Sequence, residues 1–278
     1  MSTSSFPIEN ISDTAYGVAI YRAIETERPD AHFQDRFARV LAGERGEQIM
    51  RINGGGKSGG WSFIVRTCVI DELILRSIEQ EEIDTVLNLG AGLDTRPYRL
   101  SLPSSLHWIE VDFPAVLDYK EQKLASERPV CSLESVKLDL TDFASRNTLF
   151  TQVNTAAKQV LVITEGLLVY LTPEQVALLA IALRMQVNFR WWILDLASPL
   201  LLKLAQKQYG KELTAANAIQ QFSPEEGIDF FQHYSWSTIE FRSIFEEAHR
   251  LNRQPPLNWL WRRLAPFKKE GIVLLERT

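Results

Sequence analysis

The sequence predicts an α/β fold, a doubly wound and mainly parallel sheet, and three observations carry that prediction. From Ile83 onward short apolar runs alternate with helical stretches, and parallel strands joined by crossover helices give that alternation. The first apolar run, Val86-Leu87-Asn88-Leu89, ends in the glycine turn Gly90-Ala91-Gly92-Leu93-Asp94-Thr95-Arg96. The second, His107-Trp108-Ile109-Glu110-Val111, ends in Asp112, about 20 residues past the glycines. Glycines let the main chain approach a ligand closely, and the later carboxylate accepts hydrogen bonds from ribose hydroxyls. A nucleotide-type cofactor at the carboxyl ends of the strands is therefore expected.

Residues before about position 82 read as helical. Ser12-Asp13-Thr14 caps a helix that runs toward Glu27 and stops at Arg28-Pro29. A second helix starts after Asp35, with Phe37, Val40 and Leu41 on one face. Residues 53–60, all glycine apart from Asn53, Lys57 and Ser58, imitate a phosphate loop. The first glycine of that motif would fall at Arg51 and no strand precedes it, so a flexible loop is expected. The stretch from Trp61 to Gln80 is apolar nearly all round, as a mostly buried helix is.

Strands are expected near 84–89, 107–111, 135–139, 159–163 and 191–196, with a weaker one near 228–231. Residues 237–250 read as a long helix, followed by the Pro255-Pro256 break and a last strand, Gly271-Ile272-Val273-Leu274-Leu275, inserted antiparallel. The excursion 197–226 between two strands is expected to be a helical lid. Residues 1–82 then form an N-terminal helical extension of the same domain as the core, 83–278.

Composition narrows the class of protein. Hydrophobic residues at 45% and charged residues at 23% are ordinary for a globular chain of 278 residues. A net charge of −5 gives no electrostatic reason to expect nucleic acid. No apolar run reaches the ~20 residues that span a bilayer, and no basic-then-apolar leader opens the chain. Cys68 and Cys131 each sit in apolar surroundings, as free thiols in a reducing, cytoplasmic compartment do. No His/Cys cluster has metal-ligand spacing and no nucleophile elbow occurs.

Several side chains have the chemistry of a site. Asp112 is the ribose candidate, with Glu110 its rival two residues earlier. Arg66 is the only cation in the run Trp61 to Ile70, and an unpaired buried guanidinium is very costly. It clamps a ligand carboxylate or pairs with a protein acid such as Glu72. Asp139, at the end of Val136-Lys137-Leu138-Asp139-Leu140, is either an adenine acceptor or a helix cap. Glu165 is a lone acid where the fourth strand enters a loop, and Thr172-Pro173 with Gln175 starts the next helix with a capping box. His233 is the candidate base near the last strands, against the reading of a packed loop histidine.

Taken together, several segments resemble the leucine carboxyl methyltransferase family. They are Ser12-Asp13-Thr14-Ala15, Arg22-Ala23 with Glu25, Arg28-Pro29-Asp30-Ala31 with Phe33 and Asp35, and the helix around Arg66. The loop from Asn88 to Arg96, Glu110-Val111-Asp112-Phe113-Pro114 and Thr164-Glu165-Gly166-Leu167-Leu168-Val169-Tyr170-Leu171 complete the set. The chain is most similar to that family's bacterial branch of S-adenosylmethionine-dependent O-methyltransferases of polyketide and related secondary metabolism. The resemblance covers roughly residues 10–175, and the C-terminal third only in general layout.

The resemblance implies a class I methyltransferase, Rossmann-like sheet of seven strands. It also implies S-adenosyl-L-methionine as cofactor, with Arg66 on its methionine carboxylate and Gly90 beneath the methionine moiety. Ala91, Gly92 and Asp94 complete that loop, Asp112 holds the ribose, Asp139 and Leu140 line the adenine, and Glu165 closes the site. Tyr170 and His233 are expected on the acceptor, a carboxylate or hydroxyl of a small natural-product-like molecule; no residue is assigned as catalytic. Gly166 departs from the eukaryotic members, which have a cysteine there, and the lid differs as well. Two rival readings stand beside this one. An NAD-dependent oxidoreductase is weakened by Thr95 at the third glycine position, and a non-catalytic cofactor-binding protein by the intact Arg66, Asp112 and Glu165.

Overall fold

In the computed structural model, which describes residues 12–52, 60–200, 202–203, 206–207, 219–263 and 269–278, seven strands form one sheet. They are β1 (Thr85–Leu89), β2 (His107–Asp112), β3 (Ser132–Lys137), β4 (Val160–Thr164), β5 (Phe189–Leu196), β6 (Trp236–Ser243) and β7 (Gly271–Arg277). Their order is β3-β2-β1-β4-β5-β7-β6. The pairs among β1 to β5 are parallel, and β7 runs antiparallel to both its neighbours. This is the class I methyltransferase arrangement. A dinucleotide-binding sheet in the order 3-2-1-4-5-6 would have an all-parallel edge, so the topology removes the support for the dehydrogenase reading.

Alternation along the strands builds a core on each face of the sheet. Leu87, Leu89, Val160, Val162, Trp192, Leu194, Val273 and Leu275 face α6 (Phe143–Ala156) and α7 (Pro173–Arg184). Val86, Trp108, Leu161, Ile163, Trp191, Ile193, Ile272 and Leu274 face α3 (Trp61–Gln80) and α8 (Ile244–Arg250). Every residue of β1 and β4 is buried, as expected of central parallel strands covered on both sides. A third cluster joins α1 (Asp13–Thr26), α2 (Ala38–Ile52) and α5 (Pro114–Lys123), in part through Ile20, Leu41, Leu93 and Val116.

Most elements follow the sequence. Helix α1 occupies the expected span, and α3 buries ten of its residues, among them Val65, Val69, Leu73 and Ile74. Helix α7 carries the Thr172–Gln175 capping box with Pro173 in its first turn. Cys68 and Cys131 are free and buried, and burial pushes the Cys68 thiol up to about 12. Among the described residues no helix is long and apolar enough to cross a membrane. The glycine-rich residues 53–59 and, in the 197–226 excursion, residues 201, 204–205 and 208–218 lie outside the described residues.

Three expectations are corrected. Residues Gly227–Tyr234 form a 3-10 segment rather than a strand. The expected long helix over 237–250 is β6 followed by the short α8. The run Trp236-Ser237-Thr238-Ile239-Glu240-Phe241 contains two aromatic and two β-branched side chains, which suit a pleated surface, and β7 offers it a ladder. A register shift between Thr238 and Glu240 breaks its two-residue period and hides the strand from a pattern search. Strand β3 begins three residues earlier than expected, because its pairing with β2 runs from His107↔Ser132 to Asp112↔Lys137. Asp139 and Leu140 therefore lie in the turn beyond the strand.

Candidate functional site

At β1 the chain's crossovers part, to β2 on one side and to β4 on the other, and this leaves a crevice at the carboxyl ends of the strands. A cavity of about 500 Å³ lies there, walled by residues of α1 and α3 and by the segments after β1, β2, β4 and β5.

Its floor is the glycine loop. The amides of Gly90 and Ala91 both donate to the Val111 carbonyl, at 2.8 and 3.1 Å, and so tie the loop to β2. Gly90 has φ +70°, and a Cβ there would lie 3.2 Å from the Leu167 side chain. Asp112 accepts from the Gly92 amide at 2.7 Å through Oδ2 and from the Phe113 amide at 2.7 Å through Oδ1. Each carboxylate oxygen keeps a free lone pair, so the group is fixed in place and still able to accept from a ligand. Burial raises its pKa against those two amides. The rival, Glu110, is spent elsewhere: both its oxygens take the buried Lys120 ammonium at 2.6 Å, and burial pushes its carboxyl up to about 7.

The back wall is ionic. Arg66 reaches from α3 to donate through Nε to Glu165 at 2.9 Å and through Nη1 to Asp195 at 3.0 Å. Glu72, the expected alternative partner, instead holds Arg242 and Arg250. The second Glu165 oxygen accepts from Arg96 Nη1 at 2.7 Å, and Arg96 also binds Asp94 at 3.0 Å and Asp71 at 2.6 Å. Burial alone would raise the Glu165 pKa, but Arg96 and Arg66 outweigh it and hold the carboxyl below its usual range. Behind this layer Asp35 takes Arg22 at 2.9 Å and the Thr95 hydroxyl at 2.7 Å, while Arg22 also donates to the Leu93 carbonyl. The residues Arg22, Asp35, Asp94, Thr95 and Arg96, which the sequence offers only as a pattern, are thus one buried lattice that shapes the loop.

Gly166 belongs to this wall. Its amide donates to Asp195 Oδ1 at 2.6 Å, its φ is +64°, and a Cβ would sit 3.2 Å from Arg66 Nη1. A cysteine here would press on the guanidinium, which gives the departure at this position a physical reason.

Of the expected site residues, Arg66, Gly90, Ala91, Gly92, Asp94, Asp112, Glu165 and Tyr170 all line the cavity. Asp139, Leu140 and His233 do not. Asp139 is exposed, and its carboxylate accepts from the Thr141 amide and hydroxyl at 2.8 and 2.7 Å, while Asp142 caps α6. His233 is exposed in the 3-10 segment, which packs beside α7 and so carries it away from the strand ends, into a shallow groove with Ile181 and Met185. Sequence reasoning missed Asp195 and Glu270, both in the cavity wall. Asp195 had a faint signal, an acid near the end of an apolar strand; Glu270 sits in a charged run with none.

The sequence pattern of leucine carboxyl methyltransferases matches residues 15–183. The chain belongs to this family. A Streptomyces coelicolor protein named "Putative S-adenosyl-L-methionine-dependent methyltransferase" is 36% identical over 180 residues, 60% of this chain and 62% of that one. A Parafrankia protein of the same description is 34% identical over 59% of this chain and 56% of its own. The matched part thus spans about three-fifths of the length of these relatives. Among solved structures, a "putative methyltransferase" from Thermobifida fusca aligns with TM-score 0.61 at 18% identity, over 98% of this chain and 96% of that one. A DUF574 family protein from Streptomyces avermitilis aligns with TM-score 0.59 at 12% identity, over 94% and 96%. These two likenesses are of fold.

Proposed function

We propose that the chain is an S-adenosyl-L-methionine-dependent O-methyltransferase that acts on a carboxylate or hydroxyl of a small natural-product-like molecule. The observation that carries the reading is one cavity with three kinds of polar group, the first two held against each other. Arg66 is a guanidinium for a carboxylate, Glu165 and Asp195 are carboxylates for an ammonium, and Asp112 is a fixed acceptor for ribose hydroxyls. That donor set matches the amino-acid head and the sugar of the cofactor, and Gly90 keeps the floor free of side-chain bulk.

When bound, the cofactor supplies an electrophilic methyl group on a sulfonium. The chain's residues do the remaining work. Arg66 with Glu165 and Asp195 fix one end of the ligand, Asp112 fixes the other, and the methyl group is held toward the acceptor space. Phe63, Val18 and Tyr21 from the helical wall exclude water from that space. Tyr170, its phenol held above the ordinary range by burial, lines the acceptor side. Phe113 offers the adenine an aromatic surface beside Asp112, and Asp139 and Leu140 would reach the base only after the turn beyond β3 closes toward it. The helices before β1 form one domain with the sheet in this reading, and the free thiols suit a cytoplasmic setting.

Calorimetric titration with S-adenosylhomocysteine and NAD tests the proposal. Saturable binding of the adenosyl ligand, weakened about 100-fold or more in Arg66→Ala, is expected, because that variant removes the guanidinium for the ligand carboxylate and leaves Asp195 without its arginine. Binding of NAD alone would sink it. Turnover of no acceptor by a protein that binds the ligand would favour the non-catalytic reading.

A further inference from the structure

We infer that Glu270 is the proton acceptor of the site and that the methyl acceptor is therefore a hydroxyl, not a carboxylate. The inference rests on the methyltransferase reading and adds its missing base. Glu270 stands in the cavity wall just before β7, with Ile244, Gly271 and Ile272, at the end remote from Asp112. One carboxylate oxygen is held by the Ser198 backbone; the other, Oε2, is shielded from solvent and has no hydrogen-bond partner among the described residues. A buried acceptor without a donor is a costly arrangement that folded chains seldom keep. When Glu270 is ionised, the form in which it is a base, a ligand that brings an O–H to Oε2 relieves that cost and a ligand carboxylate is repelled.

The surrounding charges point the same way. From β5, Asp195 faces Glu270, and the negative charge adds to burial in pushing the Glu270 carboxyl up to about 8. From α3, Arg66 is taken by Glu165 and Asp195. Arg22, the other arginine of the cavity wall, is taken by Asp35 and the Leu93 carbonyl. Lys269, adjacent in sequence, donates to the Glu225 carbonyl, and α8 presents the apolar Ile244. Among the described residues of the wall, then, no cation is left uncommitted to receive an acceptor carboxylate. His233, the sequence's candidate base, is not in this cavity.

The step balances with these groups. The acceptor oxygen forms its bond to the methyl carbon as the carbon–sulfur bond breaks, and that electron pair stays on sulfur. The hydroxyl proton passes to Oε2, so Glu270 begins as a carboxylate and ends as a neutral acid. A base whose pKa lies near the working pH is the effective kind, and a raised carboxyl meets that condition where an ordinary one does not.

The test uses the whole chain with Glu270→Gln and Glu270→Ala. S-adenosylhomocysteine should bind wild type and Glu270→Gln equally. Loss of binding in the variant alone overturns the inference, because Glu270 would then belong to the cofactor half. No binding by wild type overturns the methyltransferase reading itself, a separate result. Thermal unfolding gives a readout independent of turnover. A raised folded-state pKa adds stability that is complete below the unfolded pKa and is lost as pH rises through the folded one. Glu270→Gln should therefore match wild type at about pH 4 and melt higher at about pH 9. A difference that does not change with pH overturns the inference.

With S-adenosylhomocysteine present at about pH 9, where Glu270 is ionised, 2-naphthol should bind wild type about tenfold tighter than 2-naphthoate, a gap that mostly closes in Glu270→Gln. A preference for 2-naphthoate, a gap that survives in both variants, or saturation by neither probe at millimolar concentration overturns it.

Discussion

The two ends of the cavity are built on opposite electrostatic principles. At the glycine-loop end the arginines are paired: Arg66, Arg96, Arg99 and Arg22 interlock with Glu165, Asp195, Asp94, Asp71 and Asp35 at hydrogen-bond distance, while Asp112 is held by two amides. At the β7 end Glu270 faces Asp195 with one oxygen unmatched among the described residues. A matched lattice fixes a shape before any ligand arrives, as suits a cofactor that is the same in every turnover. An unmatched group stores a demand that only a ligand satisfies, as suits a site that selects its acceptor.

The sharpest way to break that contrast is to remove the centre of the lattice. Arg96 is buried and is held by three carboxylates on α3, the glycine loop and the segment after β4. Arg96→Ala leaves Asp94 without its arginine, while Asp71 keeps Arg99 and Glu165 keeps Arg66, and losing one partner of a buried pair already costs about 3–5 kcal/mol. Urea unfolding should show a loss at least that large, or a chain that does not fold. A loss under about 1 kcal/mol would mean that water reaches these carboxylates and that the lattice is not what holds the loop.

The contrast also explains what the sequence revealed. Gly90, Asp112 and Glu165 each lie at or just past the end of a mostly apolar strand, so the fold, the glycine loop and the crevice beside it were legible from about 175 residues of pattern. The role of Arg22 and Asp35 was not, because their meaning is a contact between α1 and a turn 13 residues on, with Thr95 60 residues further still. The β7 end was harder. Its edge strand β6 carries a bulge, Asp195 and Glu270 are isolated acids in sequence, and antiparallel pairing of β5 with β7 is what brings their segments together. Motif reasoning finds sites built from one contiguous segment and misses those assembled by a sheet edge.

A milder change separates shape from charge at the cofactor end. Asp112→Asn keeps the volume but leaves one oxygen for two amides, so either Gly92 or Phe113 faces an amide nitrogen. S-adenosylhomocysteine affinity should fall about tenfold or more, while unfolding changes by only about 1 kcal/mol, the worth of one hydrogen bond. Equal affinity would show that the ribose is held elsewhere.

The smallest perturbation, Gly166→Ala, asks whether the lattice tolerates any displacement at all. A left-handed backbone costs an alanine about 1–2 kcal/mol, and that strain should appear in the unfolding free energy whatever the ligand does. The added methyl would also lie 3.2 and 3.4 Å from the two terminal nitrogens of Arg66, closer than such contacts normally settle. The guanidinium must yield by a few tenths of an ångström, and it yields against Glu165 and Asp195, which hold it in two directions. A matched lattice passes such a shift on to its other members, so S-adenosylhomocysteine binding should weaken several-fold while 2-naphthol binding at Glu270 stays unchanged. If stability falls and cofactor affinity does not, the position of Arg66 is not part of recognition. If both ligands weaken together, the two ends of the cavity are mechanically one, and the division between a fixed cofactor end and a demanding acceptor end fails.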